Sequence, residues 1–197
     1  GSASFLGIPE ERALRMKIDQ LNAAGGVNGH KLELTVYDTE GNTTKAAQQF
    51  RRLADSDQVH VIFGPSSSGE SLATISIANE MKVPQIAHGG TETIINPTTR
   101  YVFNSLATDR VAISFVLAHF KKAGYKTIAV MSASDGYGQS GKRVLESLIG
   151  NYGLKIVAAE EFDRQDADIT AQVLRVKQSN ADAMLIWSAL PAPIVIV

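Results

Sequence analysis

A glycine- and serine-rich loop, Gly64–Ser71 (GPSSSGES), lies between a predicted strand and a predicted helix and is a candidate binding site. Its spacing matches the phosphate-binding pattern G-x-x-x-x-G-K-[ST], except that Glu70 replaces the lysine and would repel nucleotide phosphates. The serine-nucleophile pattern G-x-S-x-G also fails, because its second glycine is missing. Two interpretations stay open: amides and hydroxyls at the helix start bind an anion such as a carboxylate, or Ser67 or Ser68 is only the N-cap.

A second motif, Gly136–Gly141 (GYGQSG), has the G-x-G-x-x-G spacing of dinucleotide-binding proteins and also lies between a strand and a helix. Two features weigh against that function: Ala133–Asp135 separates the first glycine from the strand, and Tyr137 fills the tight turn. Tyr137 is better suited to stacking on a small ligand or hydrogen-bonding it, unless the motif is a plain surface turn. A dinucleotide site would take its ribose acid from Glu160, Glu161 or Asp163.

The third candidate, His88–Glu92 (HGGTE), follows the third predicted strand, where ligands bind in open parallel sheets. Gly89 and Gly90 allow close backbone approach and Thr91 offers a hydroxyl, although an ordinary loop explains the same residues. The four histidines show no metal-ligand spacing, and no cysteine is present. The sequence therefore predicts no metal site, no thiol nucleophile and no disulfide.

These motifs are set among strands and helices that alternate along the whole chain, which predicts a parallel sheet covered by helices. Lys31-Leu32 aligns with Lys155-Ile156, and Ile62-Phe63 aligns with Ile186-Trp187 at the same offset. This weak repeat predicts two similar α/β lobes, 1–105 and 106–197, with the crossing near 104–109. The predicted strands are 31–37, 59–63, 83–88, 126–132, 154–159 and 183–187. The predicted helices start at Pro9 and cover 44–54, 68–82, 111–123 and 169–178, with one more between 132 and 154.

Composition excludes several classes of protein. The formal net charge of −1 without a basic block argues against nucleic-acid binding, and no apolar run is long enough to span a membrane. The first predicted helix has no strand before it, and the chain stops in the apolar run 193–197. We expect a sheet without its opening strand to leave backbone groups unpaired, and hence expect a fragment of a longer protein.

The stretch Leu21–Gly29 (LNAAGGVNG), followed by KLEL and Asp38, resembles the type I periplasmic binding proteins, and most closely the branched-chain amino acid group of ABC importers. The resemblance continues in order through Gly64–Ser68, Tyr101–Phe103 and Asp135–Gly138. It implies two lobes that are joined by a three-strand hinge and trap a ligand between them.

The resemblance also implies site residues. Ser68, next to Ser67, falls on the serine that hydrogen-bonds the ligand carboxylate. Gly89 falls on a backbone contact, Thr91 on a threonine that meets the carboxylate or amino group, and Tyr137 on the tyrosine that closes over the ligand. Two departures bear on specificity: Leu6 replaces an aromatic contact for which neighbouring Phe5 can substitute, and His88 replaces a small residue. His88 favours a ligand other than leucine, isoleucine or valine, such as an aromatic carboxylate.

The resemblance implies a protein that is not an enzyme and uses no cofactor. It implies an extracytoplasmic solute-binding protein that delivers a small carboxylate, either an amino acid or an aromatic acid, to a membrane ABC permease. Two alternatives stay open. One is a ligand-sensing receptor of the same fold, and the other is an NAD(P)-dependent oxidoreductase that uses Gly136–Gly141.

Overall fold

The computed structural model describes residues 4–163 and 165–189, and this part of the chain is an α/β protein that forms two compact units. The first unit comprises the chain up to Gly89 together with Pro97–Ser105, and the second comprises Gly90–Asn96 together with the chain from Leu106. The predicted lobes, 1–105 and 106–197, differ from these two units in one segment: Gly90–Asn96 packs within the second unit.

The first unit holds a short parallel sheet with the strand order β1-β2-β3. Ile62 pairs with Gln85, and Gln85 pairs with Val102, so the strands start level with one another. Helix α2 packs against α3, and its apolar face buries Phe50 and Ala46. The elements are α1 (Ser4–Ala23), α2 (Thr43–Asp55), β1 (Ile62–Phe63), α3 (Ser68–Met81), β2 (Gln85–Ala87) and β3 (Val102–Asn104).

The second unit is built on a parallel sheet with the order β5-β4-β6. Its elements are α4 (Asp109–Lys122), β4 (Thr127–Ala133), α5 (Gly136–Leu148), β5 (Lys155–Phe162), α6 (Thr170–Gln178) and β6 (Ala183–Trp187), with 3-10 turns at Glu92–Ile94 and Ile149–Tyr152. These strands and helices confirm the predicted class of parallel sheets flanked by helices.

The central strand β4 is buried on both faces because side chains alternate between the faces of a sheet. Ile128 and Val130 pack in a core with residues of α4 and α5. Ala129 and Met131 point the other way, into a core that includes residues of α6. This two-sided burial explains why the sequence of β4 is an almost continuous apolar run.

The family-like stretch LNAAGGVNG builds a turn. The Asn22 side chain accepts the amide hydrogen of Leu32 at 2.7 Å and donates to the Leu32 carbonyl at 2.8 Å. Gly26 has φ of 80°, and a Cβ there would lie 2.0 Å from the carbonyl oxygen of His30. Glycine at position 26 is therefore needed for the close pairing of Val27 with His30.

The prediction of a strand over 31–37 is wrong. In the structure these residues pair with no strand, and a cavity of about 1150 Å³ lies between them and β1. Alternating apolar residues favour an extended strand, but a strand is defined by a hydrogen-bonded neighbour, which this segment lacks in the described chain. Strand β1 is correspondingly shorter than the predicted 59–63.

Helix α1 begins at Ser4 rather than at Pro9, so that Pro9 lies in its second turn and removes one intrahelical hydrogen bond. Within the described ranges, no helix combines the length and apolar character needed to cross a membrane.

Candidate functional site

The serine-rich loop of the first unit leads from β1 into α3, and most of its hydroxyls bond to the unit itself. Ser66 donates to the Glu10 carboxylate at 2.5 Å, Ser67 donates to Glu70 at 2.6 Å, and Ser71 donates to the Pro65 carbonyl at 3.1 Å. Ser68 is the first residue of α3 and is buried. The loop is thus tied to its own unit by hydrogen bonds, and Ser68 stands at the helix N-terminus.

Glu70 occupies the position at which the phosphate-binding pattern has its lysine. Its side chain is buried in the first turn of α3, where the positive end of the helix dipole stabilises a carboxylate. One carboxylate oxygen accepts the Ser67 hydroxyl, while the Ser67 oxygen accepts the amide hydrogen of Glu70. Ser67 is therefore the N-cap that one sequence interpretation proposed, and the reciprocal pair resembles a capping box.

His88 and Gly89 follow β2 and are fixed by neighbours within the first unit. The His88 amide donates to the Pro65 carbonyl at 3.2 Å, and its ring Nδ1 lies 2.5 Å from the Ser105 hydroxyl. The Gly89 carbonyl accepts a hydrogen bond from the Asn104 side chain at 2.9 Å. The backbone of this loop is therefore held at the carboxyl end of β2.

Phe5 and Leu6, the predicted aromatic-contact positions, lie in the first turn of α1. The same turn contains Gly7, where a Cβ would lie 3.4 Å from the Ser66 hydroxyl oxygen. The start of α1 therefore approaches the serine-rich loop. Phe5 is partly exposed, at 39%.

In the second unit, Thr91 belongs to a buried chain of hydrogen bonds. Its hydroxyl donates to the Ser140 hydroxyl in a short contact, and the Ser140 hydroxyl donates to Asp109 Oδ2 at 2.5 Å. Asp109 Oδ1 accepts the amide hydrogens of Glu92 and Arg110 at 3.1 and 2.8 Å. Asp109 thus ties the Gly90–Asn96 segment to α4 and α5, which is why this segment belongs to the second unit.

Tyr137 lies in the first turn of α5 rather than in a turn between glycines. Its ring packs against Gly90, where a Cβ would lie 2.7 Å from Tyr137 Cε2, and its centroid is 5.2 Å from that of Trp187. Burial, with the charges of Asp109 and Asp135, raises the pKa of Tyr137 to about 12. The phenol is therefore neutral at physiological pH and can both donate and accept a hydrogen bond.

The G-x-G-x-x-G spacing is explained by packing. A Cβ at Gly138 would lie 1.9 Å from the Ala133 carbonyl oxygen, and a Cβ at Gly141 would lie 2.0 Å from Trp187 Nε1. Both glycines let α5 approach the sheet closely, so neither is needed for a pyrophosphate. The structure therefore removes the support that this motif gave to an oxidoreductase.

The proposed ribose acids are also engaged elsewhere. Glu160 pairs with Arg175 at 2.7 Å, and Glu161 pairs with Lys142 at 2.6 Å. Asp163 accepts hydrogen bonds from the Ser134 hydroxyl and the Gln165 amide. Each carboxylate is thus matched by groups of its own unit, and none of the three is reserved for a ribose hydroxyl.

Sequence reasoning misses Asp109, Ser140 and Trp187. Ser140 lies inside Gly136–Gly141 but is not one of the glycines that define the motif. In the sequence prediction, Asp109 appears only as the end of the crossing between the lobes near 104–109. Their partners are distant in sequence: Ser140 lies 49 positions from Thr91 and 31 from Asp109. An acidic residue two positions before the predicted helix 111–123 is the sequence signal that points to Asp109.

The cavity beside β1 is not the predicted site. It is lined by the 31–37 segment, β1 and the first half of α1, and of the predicted residues it includes only His88. Ser68, Gly89, Thr91 and Tyr137 are not among its lining residues. In the part of the chain that is described, no group of three or more histidine, cysteine or acidic residues is placed to hold a metal ion.

The chain thus consists of parallel α/β units with polar loops after their strands, and close packing accounts for the glycines of the G-x-G-x-x-G spacing. The model of the periplasmic binding protein family matches residues 1–196, and the chain belongs to this family. The resemblance read from the motifs is therefore confirmed, as is the expectation of a binding protein rather than an enzyme.

Individual relatives agree with this assignment. The chain is 28% identical over 94% of its length to "Leu/Ile/Val-binding protein homolog 7" of Brucella suis, covering 49% of that protein. It is 25% identical over 91% of its length to the leucine-, isoleucine-, valine-, threonine- and alanine-binding protein of Pseudomonas aeruginosa, covering 48% of it. An extracellular ligand-binding receptor from Rhodopseudomonas palustris HaA2 superposes with a TM-score of 0.85 at 30% identity, over 96% of this chain and 51% of that one. The chain thus spans about half the length of these relatives.

Proposed function

We propose that the protein containing this chain is an extracytoplasmic solute-binding protein that delivers a small carboxylate to an ABC importer. The proposal is supported by the family and by two relatives whose names specify amino acids as ligands. An amino acid carries a carboxylate, which must be met by several hydrogen bonds when it leaves water. Both units carry the hydroxyl and amide groups that such a ligand needs.

One observation carries the proposal. The three motifs singled out from the sequence all follow the carboxyl ends of parallel strands: Gly64–Ser71 follows β1, His88–Glu92 follows β2, and Gly136–Gly141 follows β4. Ligands of open α/β sheets bind beyond these strand ends. Apart from Glu70, His88 and Glu92, the polar side chains of these motifs are hydroxyls and one amide, which suits binding without bond-breaking.

The roles assigned to individual residues are part of the proposal. Ser68 and the adjacent amides of α3 bind the ligand carboxylate, with Gly89 contributing a backbone contact. Thr91 and Tyr137 contribute hydroxyls, and His88 adjusts the choice of ligand.

The experiment is a calorimetric titration of the full-length protein with amino acids and aromatic carboxylates. We expect saturable binding of at least one of them, and Ser68→Ala to weaken it by about 1–3 kcal/mol through an unpaired buried acceptor. Ser76→Ala, at an exposed position of the same helix, is the matched control and should leave the affinity unchanged. Unchanged affinity in Ser68→Ala would remove Ser68 from the site, and no binding by any acid would refute the ligand class.

A second candidate, a ligand-sensing receptor of the same fold, is favoured by the description of the Rhodopseudomonas palustris relative as an extracellular ligand-binding receptor. The two functions differ in the consequence of ligand binding. Ligand uptake that requires both the protein and a membrane permease supports the importer. Ligand binding without any effect on uptake supports the receptor.

A further inference from the structure

One dipeptide of the family-like stretch LNAAGGVNG has a reactivity of its own. Asn28 is followed by Gly29, whereas every other asparagine of the chain is followed by a larger residue. The amide carbon of an asparagine side chain, Cγ, is an electrophile that the backbone nitrogen of the next residue can attack to close a five-membered ring. Glycine has no Cβ that would hinder this attack. The residue that follows it therefore distinguishes Asn28 from the other asparagines.

The structure leaves both reacting groups of this dipeptide accessible. Asn28 and Gly29 are the exposed central residues of a turn, with φ of 52° and 82°. The turn is closed by its outer residues, because the Val27 amide donates to the His30 carbonyl at 2.8 Å and the His30 amide donates to the Val27 carbonyl at 3.0 Å. Within the described residues, neither the Gly29 amide nor the Asn28 side chain makes a hydrogen bond. Solvent therefore reaches both the nitrogen that attacks and the amide group that leaves.

We propose that Asn28 is a site of spontaneous deamidation, and that isoaspartate formed there opens the turn between α1 and the 31–37 segment. The Gly29 nitrogen bonds to Asn28 Cγ and loses its proton, while the bond from Cγ to Nδ2 breaks and Nδ2 leaves as ammonia. Water then opens the resulting succinimide at one of its two carbonyls, which gives aspartate or isoaspartate. No ligand takes part, so the reaction is independent of the proposed function.

The turn has no room for isoaspartate, which lengthens the main chain by one methylene group. The backbone is already closely packed there, since a Cβ at Gly26 would lie 2.0 Å from the His30 carbonyl oxygen. A longer main chain must displace His30 and break its pairing across the turn. Leu32 follows two residues later, and its backbone is held by the Asn22 side chain through hydrogen bonds of 2.7 and 2.8 Å. We therefore expect the modification to loosen both the turn and the start of the segment that follows it.

Ageing the full-length protein in mildly alkaline buffer tests the reaction, because the attacking nitrogen must lose its proton. Asn180 is the matched internal control: it is also exposed and has φ of 50°, but it is followed by Ala181. Peptide mass spectrometry detects the exchange of an NH2 group for OH at each position, and an isoaspartyl methyltransferase detects isoaspartate. We expect product at position 28 to form about tenfold faster than at position 180, which corresponds to a barrier lower by about 1.4 kcal/mol. Equal rates at the two positions, or no product at position 28, would overturn the proposal.

Gly29→Asn tests whether the missing Cβ is the cause. Asparagine tolerates the left-handed backbone of position 29, so the variant adds a Cβ without excluding the turn. We expect slower formation of product at Asn28, with unchanged hydrogen exchange of the Val27 and His30 amides. An undiminished rate at Asn28 in a variant whose turn is intact would contradict the assigned role of Gly29.

Hydrogen exchange measures the structural consequence. We expect the amides of Val27, His30 and Leu32 to exchange faster in the isoaspartate form than in fresh protein. Asn28→Asp is the control, because it carries the charge of the product without the longer main chain, and aspartate also tolerates the left-handed backbone. Its amides should exchange as in fresh protein. Unchanged exchange in the isoaspartate form, or equally fast exchange in Asn28→Asp, would show that the longer main chain does not open the turn.

Discussion

Replacing Gly90 with alanine places a methyl group against the ring of Tyr137. The added Cβ would lie 2.7 Å from Cε2 and 3.2 Å from Cδ2 of that ring. Carbon atoms in good contact are about 3.5–4.0 Å apart, so the ring must retreat by about 0.8 Å or more. Its retreat is opposed on the other side by Trp187, whose ring centroid is 5.2 Å away.

The energetic cost combines two opposing effects. Overpacking of a filled site costs about 1–3 kcal/mol. The backbone at Gly90 is outside the left-handed region, so alanine also restricts the unfolded chain, which contributes about 0.4–1 kcal/mol of stability. We therefore expect Gly90→Ala to lower the free energy of unfolding by about 1–2 kcal/mol.

A double-mutant cycle in urea, followed by the fluorescence of the single tryptophan, measures this effect. In a Tyr137→Ala background the clash is gone, and Gly90→Ala should be neutral or slightly stabilising. Gly150→Ala is the matched control, because a Cβ there meets nothing within 4 Å and it too should be slightly stabilising. An equal loss from Gly90→Ala with and without the Tyr137 ring would refute the packing argument.

Three further predictions concern the second unit. The Tyr137 pKa of about 12 exceeds the ordinary value of 10.0, so the stability that this group contributes should be lost as pH rises from about 10 to about 12. Asp109→Asn removes a negative charge and should lower the pKa of Tyr137. Ultraviolet titration measures this pKa, with Tyr137→Phe identifying the signal of the Tyr137 phenol. Gly141→Ala drives a methyl group into Trp187 at 2.0 Å and should destabilise the chain by about 1–3 kcal/mol or more, with a change in tryptophan emission. Backbone hydrogen bonds lower the pKa of Asp182, so its contribution to stability should be present above about pH 4 and lost as pH falls further. Acid unfolding monitored by circular dichroism should accordingly be less steep in Asp182→Asn.

The sequence predicts the strands and helices of the second unit within a few residues because each is a local pattern. Strand β4 is one apolar run, and α5 is preceded by Asp135, whose side chain accepts the amide hydrogens of Tyr137 and Gly138 as an N-cap. Such signals lie within one turn or one strand, where intrinsic propensity and hydrophobic period act. The same reasoning fails for 31–37, whose alternation is local but whose pairing partner is not.

The candidate site residues show the same difference between local signals and long-range contacts. Ser67 is recognisable as a possible cap because it stands directly before a helix, and the structure confirms that role. The glycines at 138 and 141 match a nucleotide motif, yet they are determined by Ala133 and Trp187, which approach them only in the folded chain. A spacing pattern alone does not distinguish a glycine needed for a ligand from one needed for close packing.

The amino-acid sequence by itself determined the α/β class, the family and the loops at the strand ends, since each depends on residues that are neighbours along the chain. The tertiary structure decided which groups those loops contact. It brought Asp109, Ser140 and Thr91 together from positions 31 and 49 residues apart, and it placed Gly90 against the Tyr137 ring. Buried hydrogen bonds and ring contacts of this kind depend on distance and direction in space, which the order of residues does not encode locally.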